Sequence, residues 1–284
     1  MKGELAWVTG AAGLIGGHIV RAAPRFAPDW RAAGLTRAGL DLLDFEAVRD
    51  AFREQRPRLV IHCAALSKSP ECQARPELAR RLNVEVTAVL AELSAHVPFI
   101  LFSTDLVFDG RKGNYAEGDA ANPLSVYAET KLAAEKIILK NPRHTVVRTS
   151  LNGGATPSGD RAFNEQMRCA WRQGKRLMMF TDEFRCPMHA SVMARAVWEL
   201  IARGAAGLFH VAGSERLSRW KIGQLIAARC PELHPEIVAG SVRDWKGAPR
   251  PPDTSLDCTK AQAILSFPLP RLSDWLAAHP DEFF

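Results

Sequence analysis

Residues 8–16 read VTGAAGLIG, and this stretch constrains the fold more than any other in the chain. A short apolar run, ELAWVT at 4–9, leads into it, and an amphipathic pattern over 13–22 leads out. Gly10, Gly13 and Gly16 therefore fall at GxxGxxG spacing between a strand and a helix. Each glycine has its own task. Gly10 permits a tight turn, Gly13 lets the backbone approach a pyrophosphate, and Gly16 lets the helix pack closely on the sheet. The helix entered through Leu14 and Ile15 presents free N–H groups and a positive dipole end to phosphate. The expectation is a strand–turn–helix unit that binds a dinucleotide.

The first half continues the alternation. A second short strand precedes Arg37, and Asp44 stands where it caps a helix running to about Gln55. RLVIHCAA at 58–65 is a continuous apolar run, the pattern of a strand covered on both faces. A helical pattern covers about 77–95, and VPFILFST at 97–104 reads as the next strand. Pro123 lies near the start of a helix to about Lys140, and HTVVRTS closes this part as a strand. Buried strands alternating with helices predict an α/β fold with a Rossmann-type, doubly wound parallel sheet, because parallel neighbours need crossover helices. Ligands on such a sheet bind beyond the carboxyl ends of its strands.

Residues 1–150 are thus expected to form the dinucleotide domain. Beyond them LNGGATPSGD is a loop, 161–173 is helical and RLMMF is a short strand. Helical patterns at 190–203 and 217–228 flank the strand-like GLFHVA at 207–212. The Pro-rich GAPRPPDTSLD at 247–257 reads as a loop, and a last helix lies near 272–278. We expect 188–228 to return to the first domain, with 151–187 and 229–284 forming a smaller C-terminal substrate-binding region.

Composition narrows the partners. The formal charge of +6 comes from scattered basic residues with no basic run among aromatics, which argues against nucleic acid and suits an anionic small molecule such as a nucleotide diphosphate. The six cysteines form no CxxC pair and no Cys/His metal spacing, so reduced thiols and no metal are expected. No stretch offers ~18 uninterrupted apolar residues, and no apolar leader precedes the first strand, so the expected setting is cytoplasmic, without a membrane span. His62 and the tryptophans read as core or edge packing.

Two sets of residues carry chemistry. An NAD-selective site places a carboxylate at the end of the second strand, whereas this chain has Leu35-Thr36-Arg37 there. A guanidinium suits the 2′-phosphate of NADP, so NADP(H) is expected in preference to NAD(H). Asp41 and Leu42 follow at the adenine edge, and the backbone of Ala64, Ala65 and Leu66 lines the cofactor. Tyr127 and Lys131 are four residues apart on one helix and share a face. An ammonium beside a phenol of pKa near ~10 lowers that pKa and readies the phenol for proton transfer. STDLVF, at the end of the fourth strand, supplies Ser103 and Thr104, either of which could hydrogen-bond a carbonyl oxygen.

The segments VTGAAGLIG, LDLLDFEAV, STDLVFDG, NPLSVYAETKLAAE, RTS and RPPDTSLD resemble the extended short-chain dehydrogenases/reductases, and more narrowly their dTDP-4-dehydrorhamnose reductase branch. The resemblance implies NADPH reduction of the 4-keto group of a nucleotide sugar. It makes Tyr127 the acid, Lys131 its partner and ribose ligand, and Thr104 the hydroxyl on the substrate carbonyl. It gives Asn83 a supporting role. Asp105, Leu106, Leu151, Asn152 and Arg185 fall on the substrate side, with Lys175, Arg176 and Arg250 as weaker anion contacts. A homodimer is a further implication. Three departures stand out: Leu106 where the branch usually has Tyr, Leu151-Asn152 where an aromatic usually follows RTS, and Ala128 in place of Gly. The alternatives are reduction of another ketone, a sugar-nucleotide epimerase or dehydratase, and a non-catalytic NADP-binding regulatory subunit. The beta subunit of methionine adenosyltransferase resembles the same branch.

Overall fold

Alternate residues of the central strands point to opposite faces, and each set joins its own core. In the computed structural model, which describes residues 3–284, the first half runs β1 (Glu4–Thr9), α1 (Leu14–Phe26), β2 (Trp30–Leu35), α2 (Phe45–Gln55), β3 (Leu59–His62), α3 (Ser69–Ala74), α4 (Pro76–Arg80), α5 (Val86–Leu93), β4 (Phe99–Thr104), α6 (Val126–Ile138) and β5 (Thr145–Thr149). The second half runs β6 (Asn152–Gly153), α7 (Phe163–Arg172), β7 (Leu177–Phe180), β8 (Phe184–Arg185), β9 (Met188–His189), α8 (Ala190–Ala202), β10 (Gly207–His210), β11 (Leu217–Ser218), α9 (Arg219–Ala227), β12 (Ile237–Gly240), α10 (Thr259–Gln262) and α11 (Leu272–Ala278).

Six parallel strands form the main sheet in the order β10-β5-β4-β3-β1-β2. Ala6, Val8, Leu59, Ile61, Ile100 and Phe102 meet α1 and α8 on one face. Leu5, Trp7, Val60, Phe99 and Leu101 meet α2, α5 and α6 on the other. A fully buried tryptophan fastens each face. Trp7 Nε1 donates to Gln55 Oε1 at 2.9 Å, and Trp198 Nε1 donates to the Ile19 carbonyl at 2.9 Å. β2 and β3 flank β1 on opposite sides, so the connection reverses direction at the carboxyl ends of β1 and β3, where such sheets open a crevice.

A separate core gathers Met167, Trp171, Met179, Ile222, Ile226, Trp275 and Phe284 around the parallel pair β7 and β12. β10 joins the edge of the main sheet, and α8 packs on one of its faces. The helix at 217–228 does not return with them: α9 places Ile222 and Ile226 in the second core. Among the described residues no helix is long and apolar enough to cross a membrane, and all six cysteines are free.

Three other sequence boundaries shift for identifiable reasons. The strand expected over 58–65 ends at His62, because the N–H groups of Cys63 and Ala64 turn to donate to Thr9 Oγ1 at 3.2 Å each. The single helix expected over 77–95 is interrupted by a π-turn at Arg81–Glu85, and α3 precedes it. β6 forms inside the expected 151–160 loop by pairing with β9.

Candidate active site

The glycine turn sits at the crevice. Gly10 has φ +68°, and a Cβ there would lie 2.7 Å from the Ala64 nitrogen, so only glycine lets β1 and β3 approach this closely. A Cβ on Gly16 would lie 2.5 Å from the Gly10 carbonyl oxygen, which fixes α1 against the turn. Gly13 is the N-cap of α1 and supplies no side-chain cap, so the first N–H groups, from Leu14 and Ile15 onward, have no side chain to satisfy them. An uncapped helix start of this kind can accept an anionic group such as a pyrophosphate.

The flanking residues are placed differently from one another. The Arg37 head is exposed and only loosely paired with Asp41, at 3.7 Å. Asp41 also accepts from the Leu43 nitrogen at 3.0 Å, while Leu42 turns towards the core of its sheet face. Ala64, Ala65 and Leu66 follow β3, and Asn83 grips this segment from the π-turn. Asn83 Oδ1 accepts from Leu66 N at 2.8 Å, and Nδ2 donates to Leu66 O at 3.1 Å and to Thr130 Oγ1 at 3.0 Å. A widened turn is what brings this side chain to both the β3 loop and α6. His62 is a core histidine. Its Nδ1 lies 2.7 Å from Thr9 Oγ1, and burial followed by the nearby Lys131 charge lowers its pKa to about 3.

α6 carries Tyr127 and Lys131 and begins at Ser125, whose Oγ accepts from Ala128 N at 3.3 Å. A buried pair locks the helix to the sheet: Arg148 of β5 binds Glu135 through Nε and Nη2, the shortest contact being 2.7 Å, and Ser103 Oγ donates to the same carboxylate. Ser103 is thereby committed to the scaffold. Thr104 is the hydroxyl left at the strand end, accepting from Leu106 N and donating to Asp105 Oδ1, each at 3.2 Å.

The electrostatics differ from the sequence expectation. Burial, and then the Asp105 carboxylate, push the Tyr127 phenol above its ordinary range, while the Thr104 hydroxyl pulls weakly the other way. The expected lowering by Lys131 does not arise: the cation that acts on the phenol is Arg185, and burial and Asp105 prevail over it. Lys131 is itself buried, at 3% exposure, and burial lowers it to about 8 despite Glu135.

On the substrate side, Asp105 is buried and its Oδ2 carries three bonds, while its Oδ1 accepts from Thr104 Oγ1. Oδ2 accepts from Ser150 Oγ at 2.6 Å, Arg185 Nη1 at 2.7 Å and Thr254 Oγ1 at 3.0 Å. Leu151 points away, into the second core. Asn152 is nearly buried, with Nδ2 donating to Thr149 Oγ1 and to the Ser150 carbonyl while its Oδ1 stays unpartnered. Leu106 and Arg185 do line a cavity of about 500 Å³, together with Leu124, Ser125, Trp245 and Arg250. Lys175 and Arg176 do not line it.

Sequence reasoning passed over Glu183, which is completely buried between Arg185 (3.4 Å) and Arg250 (2.7 and 3.0 Å). Burial opposes its charge, but the two guanidiniums hold its carboxyl below the usual range. Its only signal was its place two residues before Arg185 in FTDEFRCP. Thr254 lay in RPPDTSLD, with nothing local to tie it to Asp105.

A glycine turn at the switch point of a parallel sheet, with Thr, Tyr and Lys on the adjoining strand end and helix, defines an extended short-chain dehydrogenase/reductase. Within that class the chain belongs to the RmlD substrate binding domain family, which matches residues 6–283. It is 31% identical over 300 residues to the probable low-salt glycan biosynthesis reductase Agl14 of Haloferax volcanii, covering 96% of each chain. It is 29% identical over 277 residues to methionine adenosyltransferase 2 subunit beta of Danio rerio, covering 90% of this chain and 84% of that one. Among solved structures, dTDP-4-dehydrorhamnose reductase from Bacillus anthracis in complex with NADP superposes with a TM-score of 0.87 over 98% of both chains, at 21% identity.

Proposed function

We propose that this chain is a nicotinamide-dependent reductase that prefers NADPH and acts on the 4-keto group of a dTDP-linked deoxysugar. The observation that carries the reading is the meeting of the Tyr127 phenol with the Thr104 hydroxyl next to Leu106 and Ser125, which line the cavity, while Lys131, one turn further along α6, faces His62 and Cys63 at the end of β3. Kinship with a protein named as a reductase and likeness to an NADP-bound one support it. The uncapped start of α1 fits the pyrophosphate, and the exposed Arg37 head fits a 2′-phosphate.

When bound, the reduced nicotinamide supplies hydride to the keto carbon. The chain does the rest. The Tyr127 phenol, kept protonated by burial and by Asp105, donates its proton to the carbonyl oxygen. The Thr104 hydroxyl, oriented by the Leu106 N–H, swings from Asp105 to hydrogen-bond the same oxygen. Lys131 is still charged at neutral pH, and it holds the ribose hydroxyls and balances the phenolate left on Tyr127.

The test follows NADPH oxidation with dTDP-4-keto-6-deoxy-L-mannose. Tyr127→Phe should lose about 10²–10⁴-fold in kcat while still binding NADPH. A variant that kept most of its turnover would refute the assignment. The similarity to methionine adenosyltransferase 2 subunit beta supports a second reading, that of a regulatory subunit. NADPH binding without turnover of any sugar nucleotide, together with co-purification of a larger enzyme, would favour that reading. A tightly held dinucleotide with no net NADPH consumption would favour an epimerase or dehydratase.

A further inference from the structure

We infer that Trp245 is the stacking platform for the base of a nucleotide substrate, brought to the cavity by the loop at 241–251. The inference rests on the reading of this site as one for a nucleotide sugar and extends it to the end of the ligand remote from the chemistry.

Trp245 is the one tryptophan of seven that is left exposed, at 40%. Core packing therefore does not explain it. Among the described residues it is also the only aromatic one lining the cavity, since Leu106 carries no ring and Leu151 packs elsewhere. The ring is held in place before any ligand arrives. Nε1 donates to the Ala248 carbonyl at 3.0 Å, and Phe180 meets the ring edge-on at 5.8 Å between centroids. The ring lies close against the backbone of Gly247, where an added Cβ would come within 2.6 Å of Nε1. An immobilised aromatic face with solvent on its cavity side binds a planar ring with little further loss of freedom.

A line of contacts leads from the reacting centre to this ring. Thr104 bonds Asp105 at 3.2 Å, and Asp105 bonds Arg185 at 2.7 Å. Arg185 meets Glu183 at 3.4 Å, and Glu183 is gripped by Arg250 at 2.7 Å. The Arg250 guanidinium lies 5.8 Å from the Trp245 ring centre. Hydroxyl, cations and aromatic face thus follow one another in the order keto sugar, diphosphate and base. The reacting sugar is tied to Thr104 and Tyr127, so it cannot also reach a platform beyond Arg250. The base is the part of the ligand left for Trp245.

The experiment titrates dTDP, and in parallel inorganic pyrophosphate, into the purified full chain by calorimetry. It compares wild type with Trp245→Phe, Trp245→Ala and Gly247→Ala. Base stacking on an aromatic side chain predicts dTDP binding weakened by about 5- to 100-fold in Trp245→Ala. Gly247→Ala should weaken it similarly by displacing the ring, and Trp245→Phe should stay within about threefold of wild type. Pyrophosphate affinity should be the same in all four, because it has no base to stack. Unchanged dTDP affinity in Trp245→Ala overturns the inference, as does an equal loss for pyrophosphate, which would mark a structural role. Wild type that turns over the keto sugar alongside an unaffected Trp245→Ala refutes the platform and leaves the reductase reading standing. Wild type that binds dTDP through Trp245 without reducing any ketone refutes the reductase reading and upholds the platform. Absence of dTDP binding in wild type overturns the platform directly.

Discussion

Asn83→Ala tests how the crevice is held open for its ligand. The wild-type side chain is 1% exposed and makes three hydrogen bonds, two to the backbone of Leu66 and one to Thr130. Alanine leaves the Leu66 N–H without its partner, at about 1–3 kcal/mol for an unsatisfied buried donor. The two remaining losses are milder. Leu66 O keeps a weak contact from Cys72 Sγ at 3.2 Å, and Thr130 Oγ1 keeps its own bond to the Tyr127 carbonyl at 2.8 Å. Summed, the expected destabilisation is about 2–4 kcal/mol, a large share of a typical folding free energy. Urea unfolding of the cofactor-free protein, followed by circular dichroism, reads this directly. Fluorescence titration with NADPH should also show weakened binding, because Ala64, Ala65 and Leu66 lose their anchor to α6. A change below about 0.5 kcal/mol with unaltered NADPH affinity would refute the reasoning, since the loop would then be held by something other than the π-turn.

Two further outcomes are expected. Gly10→Ala should reduce NADPH affinity by more than about tenfold, because a Cβ at φ +68° drives into the Ala64 backbone; near-wild-type affinity in the same titration would count against the turn as the pyrophosphate site. Lys131 is lowered from 10.5 to about 8 in the folded protein, so between those values the unfolded chain holds the extra proton and stability rises with pH. Wild type measured against Lys131→Met by urea unfolding should therefore carry a penalty that is fully present below pH 8. That penalty, of order 1–3 kcal/mol, should fade towards pH 10.5, and a pH-independent difference would contradict the desolvation of this ammonium.

What was legible in the sequence was local. GxxGxxG spacing, the continuous apolar run of β3 and the four-residue step from Tyr127 to Lys131 each depend on backbone sterics or on one element's periodicity. They gave the parallel sheet, the strand–turn–helix at Gly10 and the helix that carries Tyr127 and Lys131. The π-turn escaped because apolar periodicity alone does not distinguish a continuous helix from one with an inserted residue, and the resemblance that gave Asn83 a supporting role could not say that its partners are Leu66 and Thr130.

Only the tertiary structure decided which polar groups are free. Asp105 lies next to Thr104 in the chain but is consumed by Arg185 and Thr254, 80 and 149 residues away. Leu151 follows RTS yet packs in the second core, and Trp245, which the sequence offers as core or edge packing, lies exposed on the cavity instead. The protonation of Tyr127 reversed direction for the same reason. Sequence spacing supplies the neighbouring cation, but whether a phenol gains or loses its proton depends on how much water distant elements remove from it and which carboxylate they leave nearby. A chain's own residues set its strands, turns and helix faces; burial and partnership belong to the assembled fold, because both are properties of contacts between segments far apart in the chain.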